Sequence, residues 1–298
     1  MKNDLAEPRR GNRLGFAFFS LMLRLLGIRH TNRMAALVCL YYLLFDPRAV
    51  KRVAPYLRHL EPGIGRMHLY FRAWKIFHSQ AKMLIERSAS LMGLLKFRHQ
   101  RSNFEAFLAL RNESSNGIIL LGAHFSNWQL MVEGLKDIDS TFNLVVNQEM
   151  NPAVRDSLKI NSANSNIRYI FAGNTGNAVV EIAAALCRNE VVCMMGDRAF
   201  GADTVEVEFL NGKAHFPYGA YAIAAKLNTP VMTLLMHKDQ ASGEYSVHSG
   251  SVSRPQRQRQ QTAQEAFGSD VQKYAGELET IIRKYPEQCF LFTDVWTK

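Results

Sequence analysis

Four consecutive apolar residues, Ile118-Ile119-Leu120-Leu121, set between Gly117 and Gly122, leave few architectures open. So short a run, apolar at every position, suits a strand buried on both faces better than one with a wet side. Helix-like residues at 127–135 follow, making a strand, turn, helix unit. The unit recurs with variation: 142–146 before a helix from Pro152, 169–171 before an alanine-rich helix at 178–186, then 191–195. Further on, 218–227 and 271–282 read as helices, 231–235 as a buried strand, 245–248 as an edge strand and 289–292 as a last apolar strand. The polar, basic run 254–261 reads as a solvated loop. Between Pro47 and about residue 110 the pattern is helical, with Phe71, Trp74, Phe77 and His78 at spacings of three or four. This alternation predicts an α/β fold in which a mostly parallel central sheet is flanked by helices.

With 298 residues, 47% of them apolar, the chain can bury one large core. We read a main domain at 49–298 and an N-terminal helical arm at 1–48 that associates with membranes. In the arm Lys2, Arg9, Arg10, Arg13, Arg24, Arg29 and Arg33 alternate with two apolar blocks, 14–23 and 34–45. Neither block reaches the roughly 18 uninterrupted apolar residues of a spanning helix. Basic residues around short apolar blocks fit an arm lying in the plane of an anionic membrane surface, although two buried core helices would give the same pattern. A cleaved leader fits poorly, because Arg24 and Arg29 stand where small residues should mark cleavage. The net charge of +10 calls for an anionic partner, but no nucleic-acid module is present and none is expected as a partner. Cys39, Cys187, Cys193 and Cys289 form no paired motif, which argues against a disulfide framework and against a metal site.

His124 stands where the first strand turns toward its helix. Ligands of open α/β sheets gather beyond the carboxyl ends of the strands, so an imidazole there is placed to take a proton from a hydroxyl or amine. A partner on its other ring nitrogen would fix the tautomer. Gln129, five residues on, can orient the ring but brings no negative charge. Ser126 and Gln129 also fit a capping box, in which the glutamine only returns to the serine backbone.

Residues 122–130, Gly-Ala-His-Phe-Ser-Asn-Trp-Gln-Leu, resemble the H-x4-D/E block of the lysophospholipid acyltransferase superfamily. They are closest to the G-x-H-x-G-N-x-E-L form of the bacterial lipid A late acyltransferases. Gly196-Asp197-Arg198, Phe209-Leu210-Asn211-Gly212 and Phe216-Pro217-Tyr218-Gly219 look like that family's next blocks, in the same order. The ending, with Tyr274-Ala275-Gly276-Glu277-Leu278-Glu279, Pro286 and Phe292-Thr293-Asp294-Val295-Trp296, resembles a branch of predicted acyltransferases, some associated with polyene-lipid pathways. Two departures stand out: Gln129 replaces the acid, and Ser126 replaces the glycine before Asn127.

The resemblance implies transfer of a fatty-acyl or polyene-acyl group from an acyl carrier protein or coenzyme A thioester to a hydroxyl or amine of an amphiphilic lipid acceptor. The setting would be the cytoplasmic face of a bacterial inner membrane, peripheral or monotopic, with no cofactor beyond the thioester co-substrate. By the same resemblance His124 is the general base and Gln129 positions it. Asn127 or backbone N–H groups stabilise the oxyanion, or Asn127 fixes the turn. Ser126 narrows the passage of the acyl chain. Asp197 and Arg198 form an ion pair behind the site or touch substrate, and Arg155 meets an anionic head group or phosphopantetheine, or lies on a solvated helix face. The alternative reading is a non-catalytic subunit that binds acyl lipid or carrier protein and lacks the acidic partner of the histidine.

Overall fold

The computed structural model describes residues 13–95, 99–102, 104–128, 138–147, 166–172, 177–199 and 201–297. Three helices come first: α1 (Arg13–Phe45), α2 (Pro47–Leu60) and α3 (Arg66–Leu91). There follow β1 (His99–Ser102), α4 (Phe104–Glu113), β2 (Ile118–Gly122), β3 (Phe142–Asn147), β4 (Ile167–Ala172), α5 (Asn177–Cys187) and β5 (Val191–Met195). A hairpin, β6 (Thr204–Phe209) and β7 (Gly212–Pro217), precedes α6 (Gly219–Leu227), β8 (Val231–Lys238), β9 (Tyr245–Ser253), α7 (Ala263–Lys284) and a final 3-10 turn, Pro286–Gln288.

The main sheet has seven strands in the order β1-β9-β8-β2-β5-β3-β4. All neighbouring pairs are parallel except β8 with β9. The apolar run Ile118 to Leu121 lies in β2, which is buried at all five positions. Its side chains divide with the period of a strand. Ile119 and Leu121 join the core on one face, Ile118 and Leu120 the core on the other. Leu235 and Leu234 of β8, and Val192 and Val191 of β5, split the same way. Helices therefore cover both faces, as a sheet of this composition requires.

The structure differs from the sequence reading at four places. β1 interrupts the stretch read as helical to about 110; its four residues, His-Gln-Arg-Ser, carry no apolar alternation because they form the outermost strand. β9 is consequently not an edge, since β1 lies outside it. Residues 289–292 form no strand but a single antiparallel bridge, Phe125 with Cys289. The β6–β7 hairpin was read only as family blocks. It turns at Leu210 and Asn211, both at positive φ (45° and 61°), a twist that suits a two-residue hairpin. The helices expected at 127–135 and from Pro152 fall largely outside the described residues.

The outer rim of β6 is covered by side chains. Gln264 and Gln272 of α7 each accept from and donate to the backbone of Glu206 and Glu208 respectively, and Glu279 accepts from the Leu210 N–H. Three acceptors one β-period apart thus close a rim that would otherwise pair with another chain.

The arm helix α1 is broken at Gly27 (φ 72°, ψ 175°). One side packs on α3, Leu23 and Ala35 meeting Ile85 and Ala89, while Trp74 donates to the Ala36 carbonyl at 3.2 Å. The other side leaves Leu25, Leu37, Leu44 and Phe45 exposed. Among the described residues no helix is long and apolar enough to cross a membrane.

Gly117 sits at the entry to β2, where an added Cβ would lie 2.0 Å from the Glu190 carbonyl oxygen. Backbone cannot yield cheaply there. Gly117→Ala should lower the thermal midpoint by about 4 °C or more, on the basis of roughly 2 kcal/mol of overpacking. An unchanged midpoint in a thermal melt would show that the strand entry is looser than described.

Candidate active site

β2 and β5 lie side by side with Gly122 opposite Met195. Two residues beyond each register partner stand His124 and Asp197. The chain continues the pairing for one more step, the Gly196 N–H donating to the Gly122 carbonyl at 2.9 Å. The register therefore delivers the carboxylate to the imidazole: His124 Nδ1 lies 2.9 Å from Asp197 Oδ1, and the His124 backbone N–H donates to Oδ2 at 3.1 Å.

The Asp197 side chain is 5% exposed and that of His124 23%, so the acid is sealed and the base is reachable. Burial pushes the Asp197 carboxyl up, but the charge and hydrogen bonds of His124, with Arg198 nearby, outweigh it and hold the group below the usual carboxylate range. An ionised carboxylate only accepts, so Nδ1 must carry the hydrogen and Nε2 is left as the basic nitrogen. Phe209, Phe216, Leu278 and Leu291 line the same apolar space as His124 and Asp197. Arg198 approaches Asp197 Oδ2 at 3.9 Å and donates through Nη2 to the Phe290 carbonyl at 2.8 Å.

The turn that carries His124 is held on its other side by the C-terminal segment. Phe290 N–H donates to the His124 carbonyl (3.0 Å) and Ser126 N–H to the Gln288 carbonyl (2.7 Å). Ser126 is buried with φ 53°, in the left-handed region that glycine enters most easily. That conformation gives a physical reason for a glycine at this position in the resembling motif. It also excludes the extended conformation usual for a helix cap at Ser126. The Asn127 amide nitrogen donates to the Met83 carbonyl at 2.9 Å and, at 3.5 Å, to the Tyr245 hydroxyl. Both donations point into the protein, which matches a turn-fixing role better than an oxyanion donor.

Of the residues singled out by sequence, His124, Ser126, Asn127, Asp197 and Arg198 thus come together in one cluster. Gln129 and Arg155 lie outside the described residues. Sequence reading named Asp197 but did not pair it with His124. The available signal was a matching offset of two residues from each strand end, masked because β3 and β4 intervene in sequence between β2 and β5. Among the described residues, no group of three or more His, Cys, Asp or Glu side chains is placed to hold a metal ion.

A family model described as bacterial lipid A biosynthesis acyltransferase matches residues 70–298. The chain belongs to this family. Membership makes it an acyltransferase family member of lipid biosynthesis, and the His124–Asp197 pair falls within the matched region. Among curated proteins none matches the sequence. Among solved structures, the 1-acyl-sn-glycerophosphate (LPA) acyltransferase PlsC from Thermotoga maritima is similar at 12% identity and a TM-score of 0.40, covering 91% of this chain and 100% of that one.

Two expectations follow. Ser126→Gly should change unfolding free energy by less than about 1 kcal/mol, whereas Ser126→Val, β-branched at positive φ, should cost about 2 kcal/mol or more. Equal effects in chemical denaturation would contradict the left-handed turn. Because the folded state holds Asp197 below its unfolded value, its stabilisation is complete above the unfolded carboxyl pKa of about 3.9 and fades as pH falls through the lower folded value. The stability gap between the parent and Asp197→Asn should therefore stay level from neutral pH to about 5 and shrink in stronger acid. A gap that instead widened on acidification would contradict the depressed carboxyl.

Proposed function

We propose that this acyltransferase moves a fatty-acyl or polyene-acyl group from an acyl carrier protein or coenzyme A thioester to a hydroxyl or amine of a membrane amphiphile. His124 is the general base, and Asp197 rather than residue 129 supplies the carboxylate behind it. The observation that carries this reading is the 2.9 Å contact between Nδ1 and Asp197, which leaves Nε2 as the nitrogen that takes the proton.

The acceptor's O–H or N–H proton passes to Nε2 as its heteroatom bonds to the thioester carbon, and Asp197 stabilises the imidazolium that forms. The tetrahedral oxyanion then collapses, the carbon–sulfur bond breaks, and the departing thiolate takes the proton from Nε2. The N–H groups of His124 and Ser126 and the Asn127 amide are already engaged, by Asp197, Gln288 and Met83, so the oxyanion draws its stabilisation from other donors. A carboxylate at Asp197 weighs against the non-catalytic binding reading, whose argument was the missing acid. Gln129 is then a neighbour of the motif rather than half of its chemistry. Arg155 is retained as the proposed contact for an anionic head group or phosphopantetheine, and Arg198 as support for the carboxylate.

Association with the cytoplasmic face of an inner membrane is part of the same proposal. It is supported by the apolar side of α1, with Leu37 69% and Phe45 71% exposed, and by exposed Arg24, Arg29 and Arg33 around the break at Gly27. Leu84 and Leu91 of α3, and Leu94 just beyond it, are exposed as well, and the same helix holds Asn127 through the Met83 carbonyl. An acceptor anchored in lipid could then reach His124 without leaving the membrane surface. Reversing the charge of Arg24, Arg29 and Arg33 together should weaken binding to vesicles rich in anionic lipid by about 10²-fold or more, at about 1 kcal/mol per arginine. Unchanged binding in a vesicle sedimentation assay would count against this orientation.

With an acyl thioester and a membrane lipid extract, the full chain should yield an acylated product. His124→Ala should abolish it and Asp197→Asn should reduce turnover by about 10³ to 10⁴, as loss of the buried acid does in other histidine bases. Gln129→Ala should retain most turnover and Gln129→Glu should bring no large gain. A collapse in Gln129→Ala with Asp197→Asn unaffected would return the role to residue 129, and product from His124→Ala would reject the mechanism.

A further inference from the structure

The polar groups behind Asn127 continue past the turn into a chain that neither the base nor its acid uses. Tyr245 donates its hydroxyl to Glu86 Oε2 at 2.6 Å, and the Lys238 ammonium donates to Glu86 Oε1. Lys238 and Tyr245 are register partners on β8 and β9, and the ammonium also lies 5.4 Å from the centre of the Tyr245 ring. Glu86 is 7% exposed, Tyr245 2% and Asn127 5%. A carboxylate so buried is costly unless both oxygens find donors, and here one oxygen takes an ammonium and the other a phenol. Burial first, then the Glu86 charge, pushes the Tyr245 hydroxyl up, so it remains a donor toward Glu86 and an acceptor toward Asn127.

Three elements meet through these groups. Met83, whose carbonyl accepts from Asn127, and Glu86 lie one turn apart on α3, so the helix grips the turn directly and through Tyr245. Lys238 is fixed from the other side as well. Its backbone N–H and carbonyl bond to the Gln288 side chain at 2.8 and 2.6 Å, and the Gln288 carbonyl accepts from Ser126. The left-handed residue at Ser126 thus sits between two anchors that share Lys238. Left-handed serine is not self-sustaining; neighbours must over-determine it.

We propose that Glu86 is a positioning residue for His124. Holding Tyr245 and Lys238, it fixes Asn127, and through Asn127 the turn that aims the imidazole at the incoming acceptor. The inference rests on His124 being the base of the proposed reaction, and Glu86 itself touches neither substrate nor His124.

The test uses the full chain carrying Glu86→Gln, Tyr245→Phe or both. Because a misplacement of about 1 Å costs about 10²-fold, Glu86→Gln should lower kcat by between about 10-fold and 10²-fold with KM within about twofold. Tyr245→Phe should act in the same direction, and the double variant should fall no further than the worse single one, since both cut the same chain. Unchanged kcat, a loss confined to KM, or additive losses would overturn the proposal. Hydrogen–deuterium exchange provides a readout that needs no activity. The Ser126 and Phe290 amides should exchange faster in Glu86→Gln, while the Gly117 and Ile118 amides, at the opposite end of β2, keep the parent rates. Uniform acceleration at both ends of β2, or none at Ser126, would contradict positioning. If Glu86→Gln fails to fold, Tyr245→Phe, which leaves the Glu86–Lys238 pair intact, carries the same comparison. An inactive parent protein would sink the acyltransferase mechanism while leaving the exchange result to decide the positioning claim.

Discussion

The hydrogen bond between Asp197 and Nδ1 of His124 is the interaction on which the account depends. It fixes the tautomer of a partly exposed imidazole, because a carboxylate held ionised can only accept. Its geometry follows from backbone rather than from side-chain luck. Parallel strands β2 and β5 end in register, and each sends out a residue two positions later. A one-residue slip between them would turn the acid to the other face of the sheet.

The base proposed at His124 needs a rigid mount, and the mount of this imidazole is assembled from segments far apart in sequence. The C-terminal residues Phe290 and Gln288 bond to His124 and Ser126 respectively, and Tyr56 and Arg72 hold that segment through the Pro286 carbonyl and the Glu287 carboxylate. Tyr274 of α7 donates to the Gly122 carbonyl at the start of the turn. Helices that read in sequence as generic apolar packing therefore serve the site. The family blocks acquire structural reasons too. Gly212 must lack a side chain because an added Cβ would meet the His59 ring at 2.6 Å, and that ring stacks on Trp296 at 4.1 Å.

Much of the fold was legible because burial on both faces leaves a strong mark. Ile118 to Leu121, the strand at 191–195 and the strand at 231–235 could hardly be anything else, and the alternation of strand and helix implied a parallel sheet. Less visible was whatever depends on who sits beside whom. β1 is polar because it is the outermost strand, and the β6–β7 turn places a leucine at positive φ that no local rule anticipates. The site was half legible for the same reason. His124 announces itself between strand and helix, whereas Asp197 is 73 residues away in sequence and pairs with it only once the strand order is known. Five residues downstream of His124 the sequence offers Gln129 as the positioning group, and the proposed mechanism gives the acid's role to Asp197 instead. Glu86 gave no signal, being one carboxylate on an amphipathic helix until Lys238 and Tyr245 enclose it.

The most direct check of the central claim is a long-range proton–nitrogen correlation spectrum of the full chain with labelled histidine, His124 assigned through loss of its signals in His124→Ala. At a pH where the ring is neutral, the account predicts hydrogen on Nδ1, a bare Nε2, and a strongly deshielded Nδ1 proton that moves in Asp197→Asn. A ring protonated at Nε2, or a spectrum indifferent to Asp197, would contradict it.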